Sequence, residues 1–322
     1  MGYLHLRIGM LVLRLLAVIS ILLSRTAIAQ TAPDSELNVP PGHMRIPVLV
    51  TDKQGKPVSG LHADDFKVLD NGKLASIVAF LALSTSPSAS AHFTVFYLDD
   101  RHLTIEQMNS AQQDVVAALP AALDSNGYVA IVAGTGSANS GFSRDPNQLR
   151  QTLASIYTTA FAAEGTRAHN FDLIGTYASL AEYASRMSKL PGRRLLVLLS
   201  PGFSADFPEI RSAAAVSIDL IVQSGVVLNA FNTQDSASVT RGEDNIVLEE
   251  LSSATGGSFF PGTSPPPNLT QYPELLYLLD IPLSAIRADG SPHQLKIVSQ
   301  SADHIRARKT FVAPSSTARR KP

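Results

Sequence analysis

The residues best placed to do chemistry stand four in a row: Asp99, Asp100, Arg101 and His102. Two carboxylates offer hard oxygen ligands for a divalent ion, a guanidinium offers a donor fork for an acidic partner, and an imidazole can move a proton. They follow Phe93, Thr94, Val95, Phe96, Tyr97 and Leu98, an almost unbroken apolar and β-branched run. Such a run reads as a strand buried on both faces. In an open parallel α/β sheet, ligands bind outside the carboxyl ends of the strands. The run therefore delivers Asp99 and Asp100 to the functional edge. If strand geometry persists through them, their side chains point opposite ways and Asp99 faces the crevice. A buried carboxylate needs a cation or several donors. Arg101, two residues on, is expected to turn back over Asp99.

The elements that must hold this edge can be read on either side of it. Helical spacing recurs in Ile105, Met108, Val115, Val116 and Leu119, with Pro120 limiting the helix. Tyr128–Ala133, Leu195–Leu199 and Gly225–Phe231 read as further buried strands, and Ser258–Phe260 as a short last one. Helical patterns separate them around Leu149–Ile156, Leu173–Ala184, Ile210–Ile221 and Ile246–Ala254. Alternation of strand and helix predicts an α/β domain, doubly wound with a mostly parallel sheet, over residues 92–262. Gly134–Gly141 has GxxxxG spacing, but Phe142 stands where a phosphate loop needs Lys, so it reads as a hairpin or loop.

The flanks are β-like. Residues 43–82 carry the strand Arg45–Asp52 and two apolar runs around Asp70-Asn71-Gly72, a strong hairpin signal. Residues 270–313 carry Leu275–Leu279, Leu295–Val298 and Ile305–Val312. Each flank is too small to fold well alone, so the two are expected to pair into one small β domain. Residues 30–42 read as a flexible lead and 314–322 as a disordered tail.

Composition narrows the function classes. The 322 residues are 45 % hydrophobic and 16 % charged, with a formal net charge of −1. That supports a sizeable core, and no basic stripe points to nucleic acid. Cys is absent, which excludes disulfides, Cys metal sites and a Cys nucleophile. Residues 1–29 have the pattern of a cleaved signal peptide. Arg7 and Arg14 precede the apolar core Leu15–Leu23, and Ala27-Ile28-Ala29 forms the cleavage site. The expectation is an exported protein, periplasmic or extracellular, with no membrane-spanning segment after cleavage.

Taken in order, these parts resemble the von Willebrand factor type A (VWA) domain, and more closely the VWFA-related family of exported bacterial proteins. The resemblance rests on Val50, Asp52, Gly55, Val58, Leu61, Asp65 and Phe66 at the family's spacing, on the strand ending in Asp99, and on Gly165-Thr166. Leu251–Phe260 with its Thr-Gly-Gly-x-Phe segment, and Asp289-Gly290 before the closing strands, complete it. It implies a binding scaffold, and in many members a Mg²⁺ adhesion site built on Asp-x-Ser-x-Ser with a later Thr and Asp. Here Asp99 and Thr166 match that set as remnants. Arg101, Leu103 and Pro201 replace the two serines and the last Asp. No cofactor is therefore expected, with Asp100 and Thr104 the residues that would have to rescue a Mg²⁺ site.

The function expected is a non-catalytic protein-interaction module. Its partner edge would be Asp99, Asp100, Arg101, His102 and Thr166, and its partner a protein of unknown identity. Two alternatives stand beside it. A hydrolase would use Ser204 in Gly202-Phe203-Ser204, with His102, His169, His293 or His304 as base, though no spacing ties any of them to Ser204. A structural envelope component would act by adding its terminal strands to a partner's sheet.

Overall fold

The computed structural model describes residues 39–84, 91–160, 166–202, 208–233, 243–262, 266–301 and 303–313. The expected leader, Gly165, Ser204 and the C-terminal tail lie outside them. No helix among the described residues is long and apolar enough to cross a membrane.

The central run is β5 (His92–Leu98), buried along nearly its whole length. It pairs in parallel with β6 (Gly127–Ala133) on one side and β7 (Arg193–Ser200) on the other. Beyond β7 lie β8 (Val227–Asn232) and the two-residue β9 (Phe259–Phe260), again parallel. The sheet order is β6-β5-β7-β8-β9. After β6, residues 134–137 turn and residues 138–143 fold back antiparallel along that edge, with Ser140 N donating to Ile131 O at 3.0 Å. Gly134–Gly141 is thus a hairpin.

Side-chain alternation along β5 explains the two layers of helix. Phe93, Val95 and Tyr97 pack on one face, against Leu173, Tyr177 and Leu180 of α3 (Thr166–Met187), Ile210 and Ile218 of α4 (Pro208–Gln223), and Leu248 and Leu251 of α5 (Glu243–Thr255). Phe96 and Leu98 pack on the other, against Met108, Val115 and Leu119 of α1 (Ile105–Ala122) and Leu149 and Leu153 of α2 (Pro146–Ala154). The expected doubly wound α/β fold follows. Pro120 falls in the last turn of α1, where the helix bond its missing N–H cannot make to Val116 O is lost only two residues before the helix ends.

The flanks form two antiparallel sheets of four strands. One has the order β12-β1-β10-β4, the other β13-β11-β2-β3. The members from the N-terminal flank are β1 (His43–Thr51), β2 (Phe66–Asp70), β3 (Lys73–Ala75) and β4 (Ala79–Ser84). From the C-terminal flank come β10 (Leu275–Pro282), β11 (Pro292–Ser299), β12 (His304–Ala307) and β13 (Thr310–Val312). The strand expected over Ile305–Val312 is broken at Arg308 and Lys309, and its halves join different sheets. The β2–β3 hairpin turns at Asn71 (φ 46°) and Gly72 (φ 79°), the left-handed pair its tight turn requires.

Strand β10 explains why the flanks do not stand apart from the parallel sheet. Tyr277, Leu279 and Ile281 face the core between the two antiparallel sheets, with Ile46, Val48, Phe66 and Val68. Leu276 and Leu278 face the other way and join the core beneath α1 and α2. A strand buried on both faces welds the two parts together.

On α1, Asp114 has a buried carboxylate oxygen, Oδ2, without a hydrogen-bond partner among the described residues. Desolvation pushes its pKa up to about 6. The native state therefore binds this proton more tightly than the unfolded chain does, and stability falls as pH rises from about 4 through 6. Asp114→Asn removes that loss. At pH 8 the variant should be more stable by up to about 1 kcal/mol, since the group is only half-buried, and no more stable at pH 4. Urea midpoints at the two pH values check this.

Candidate functional site

The site lies where the chain, having placed β6 on one side of β5, crosses to place β7 on the other. A crevice opens at such a reversal of strand order. Asp99 prolongs the ladder, its N donating to Leu199 O at 3.0 Å, and the residues after it form a tight turn in which His102 N and Leu103 N both donate to Asp99 O.

That turn decides which side chain covers Asp99. It brings the third residue on, His102, back over the carboxylate, with Nδ1 2.8 Å from Oδ1. The other oxygen, Oδ2, accepts from Ser200 Oγ at 2.8 Å, at the end of the neighbouring strand β7. Arg101 is turned outward and pairs with Asp172 of α3 at 3.5 Å, both side chains being about one-third exposed. The expected Arg101–Asp99 pair is thus corrected: in this turn Arg101, two residues after Asp99, points away from it, and His102, three residues after, points back.

Asp100 goes the opposite way, toward β6. Its Oδ1 accepts from Thr135 N at 2.8 Å and its Oδ2 from Thr135 Oγ1 at 2.5 Å. The divergence expected of adjacent strand residues is present, but neither carboxylate opens to solvent: both are 0 % exposed. Desolvation raises the Asp100 pKa against the opposing pull of the Thr135 bonds. Gly134 makes this approach possible, because a Cβ there would lie 2.9 Å from Tyr97 Oη and 3.2 Å from Asp100 Oδ1. Burial likewise raises the pKa of Tyr97, so its phenol stays neutral. The loop after α2 locks the turn from outside: Thr159 N donates to Asp100 O at 2.6 Å, and Thr158 Oγ1 donates to Leu103 O.

The residues present do not fit a Mg²⁺ site of the implied kind. All four oxygens of Asp99 and Asp100 are engaged by protein groups. Leu103, at the second serine position, is a fully buried core residue. Thr104 is spent as the N-cap of α1, its hydroxyl oxygen accepting from Gln107 N at 3.2 Å while Gln107 Oε1 accepts from Thr104 N at 2.9 Å. Among the described residues, no group of three His, Asp or Glu is arranged to hold a metal ion. Thr166 opens α3, and its side chain lies outside the described atoms.

The hydrolase constellation lies partly outside the described residues. Ser204 and the His169 side chain are outside the described residues. His293 lies in the antiparallel part, between Asp70 at 2.6 Å and Asp289 at 3.4 Å. Ser200, the residue after the run Leu195–Leu199, donates its proton to Asp99. Neither Ser200 nor Thr135 stands among the candidates that the sequence offers. The available signal was position: Ser200 ends β7 and Thr135 lies two residues past β6, the two strands adjacent to β5.

No family model matches the chain, and no curated protein does. Among solved structures, the chain is similar to the N-terminal domain of TFIIH p34, at 15 % identity and a TM-score of 0.34, over 57 % of this chain and 96 % of that one. It is also similar to the vWF domain of the type V pili tip protein Mfa5 from Porphyromonas gingivalis, at 16 % identity and a TM-score of 0.25, over 35 % and 38 % of the two chains. A third likeness is to the pilus adhesin SpaC from Lactobacillus rhamnosus GG in its open conformation, at 8 % identity and a TM-score of 0.36, over 83 % and 49 %. At these scores the likenesses carry no functional conclusion.

Proposed function

We propose that this chain is an exported, non-catalytic protein-interaction module whose partner edge works without a metal. The observation that supports it is the internal use of every strand-end carboxylate oxygen: Asp99 by His102 and Ser200, Asp100 by Thr135. Carboxylates consumed in this way serve to position a loop. What the loop offers outward is the terminal part of the Arg101 guanidinium: the side chain is part-exposed, its Nε is buried, and its Nη1 is held by Asp172 of α3. A planar fork of donors on a braced loop recognises a carboxylate through paired hydrogen bonds, and so suits an acidic segment of a protein partner. Asp99, Asp100 and His102 are positioning residues in this reading, and Thr166 stands at the start of α3, the helix that carries Asp172. The leader pattern of residues 1–29 supports an encounter outside the cytoplasm.

Two measurements test this. In calorimetric titration with Mg²⁺, Ca²⁺ and Mn²⁺ no saturable binding should occur below millimolar concentration; a tighter site abolished by Asp99→Asn would overturn the metal-free reading. In crosslinking capture from envelope extract, Arg101→Glu should reduce recovery of the wild-type partner at least tenfold with the fold intact, reversing the charge the partner reads. Equal recovery by the two proteins would move the interaction away from this edge, and turnover of generic ester or peptide substrates would replace the reading with an enzymatic one.

A further inference from the structure

A second cluster of buried polar groups stands where α4 meets the antiparallel sheets. Where the chain leaves one antiparallel sheet for the other, between β12 and β13, Arg308 is driven inward and is only 2 % exposed. Its guanidinium lies over the ring of Phe311, 5.9 Å from the centroid. Nε donates to Thr310 O at 3.1 Å and Nη1 to Asp219 Oδ1 of α4 at 2.5 Å. Nη2 is buried and has no partner among the described residues. The same holds for Nδ1 of His43, at the start of β1. Both residues line one cavity of about 100 Å³, whose walls include the apolar side chains of Val222, Leu283 and Val312.

A buried, permanently charged donor without an acceptor is a costly arrangement, and native structures rarely keep one that nothing satisfies. From this we infer that the cavity is a binding site for a short monocarboxylate. The chemistry selects that class step by step. Nη2 can only donate, so the ligand must bring an acceptor. The His43 ring nitrogen, in the tautomer that carries its proton on Nδ1, supplies a second donor, which matches the two oxygens of a carboxylate. The cavity wall holds two guanidiniums and one carboxylate, from Arg45, Arg308 and Asp219. Arg45 is neutralised by Asp280, with Nε–Oδ1 at 2.7 Å and Nη2–Oδ2 at 2.8 Å. Asp219 neutralises Arg308 in the same way, with Nη1–Oδ1 at 2.5 Å, so the wall carries no surplus charge: the Nη2 and Nδ1 donors hold one carboxylate by hydrogen bonds, Asp219 opposes a second negative charge, and the apolar walls accept a short alkyl group in place of further oxygens. One water occupies about 30 Å³ in the liquid, so the space suits roughly three waters or an acid of two or three carbons.

The test uses the purified full chain and acetate as the probe, with chloride and inorganic phosphate at matched ionic strength as comparisons. Amide resonances around His43, Arg308 and Asp219 should shift saturably with acetate, at a dissociation constant at least tenfold below that of either comparison ion. Arg308→Lys keeps the charge but loses the fork, and should weaken acetate at least tenfold. His43→Phe leaves the Arg308–Asp219 pair in place and should weaken it at least threefold. Shifts with acetate no larger than with chloride would show that the cavity holds water only and would overturn the site. So would wild-type affinity in Arg308→Lys or, if that variant does not fold, in His43→Phe.

Discussion

Asp280→Leu will cost about 3–5 kcal/mol of stability, the usual penalty for stranding one partner of a buried ion pair. Asp280 of β10 and Arg45 of β1 are direct neighbours in the antiparallel ladder. Two parallel bonds join them, and their side chains are 2 % and 7 % exposed. They lie on the side of the sheet that carries Leu276 and Leu278 toward the parallel-sheet core, so a guanidinium deprived of this carboxylate regains only the little water that the cavity beside it can hold. Replacing both partners, with Arg45→Met and Asp280→Leu together, should recover most of the loss, because the pair contributes far less than either half costs when orphaned. Chemical denaturation of the wild type, the single variant and the double variant reads all three values. A single variant that loses less than about 1 kcal/mol would mean that the strand ends open enough to hydrate Arg45.

Asp99→Ala will cost about 2–6 kcal/mol, counted as about 1–3 kcal/mol for each of two buried donors deprived of its acceptor. Those groups are the Ser200 hydroxyl and the His102 ring nitrogen. The sign of this change separates two kinds of site. A carboxylate waiting for a cation is unpaired charge in chelator-containing buffer, and removing it raises stability. A carboxylate that ties the β5 turn to the end of β7 does the opposite. Asp99→Asn, which keeps one carbonyl acceptor, should lie between wild type and alanine. Thermal unfolding in chelator and in excess Mg²⁺ provides the comparison: a loss of equal size in both buffers is expected, and a gain in chelator would restore the metal-site reading.

Much of the scaffold was legible because it depends on short-range pattern. The run from Phe93 to Leu98 has no polar face, so only a strand covered on both sides can bury it. Asn71-Gly72 between apolar runs leaves little choice but a tight hairpin. The strand-to-carboxylate junction at Asp99 and the opposite aim of Asp100 follow from the same period of two.

The partners of those carboxylates were not legible, and the reason is physical. Ser200 is 101 residues from Asp99 and meets it only because β7 pairs with β5 in one register. A slip of one residue would aim its hydroxyl at the opposite face. Thr135 reaches Asp100 only because Gly134 has no side chain to hold the backbones apart. Arg101 and His102 exchanged their expected roles over one residue of turn geometry, which composition does not record. Arg308 shows the same division on the larger scale. Its neighbours Ile305 and Phe311 read as one strand, and only the packing of two sheets breaks that strand and turns the arginine inward. The sequence by itself determined where strands end and which charged groups stand there, since those are matters of burial and local spacing. Tertiary structure alone decided which of those charges are spent on one another and which are left to a partner, because that depends on register and close packing between segments far apart in the chain.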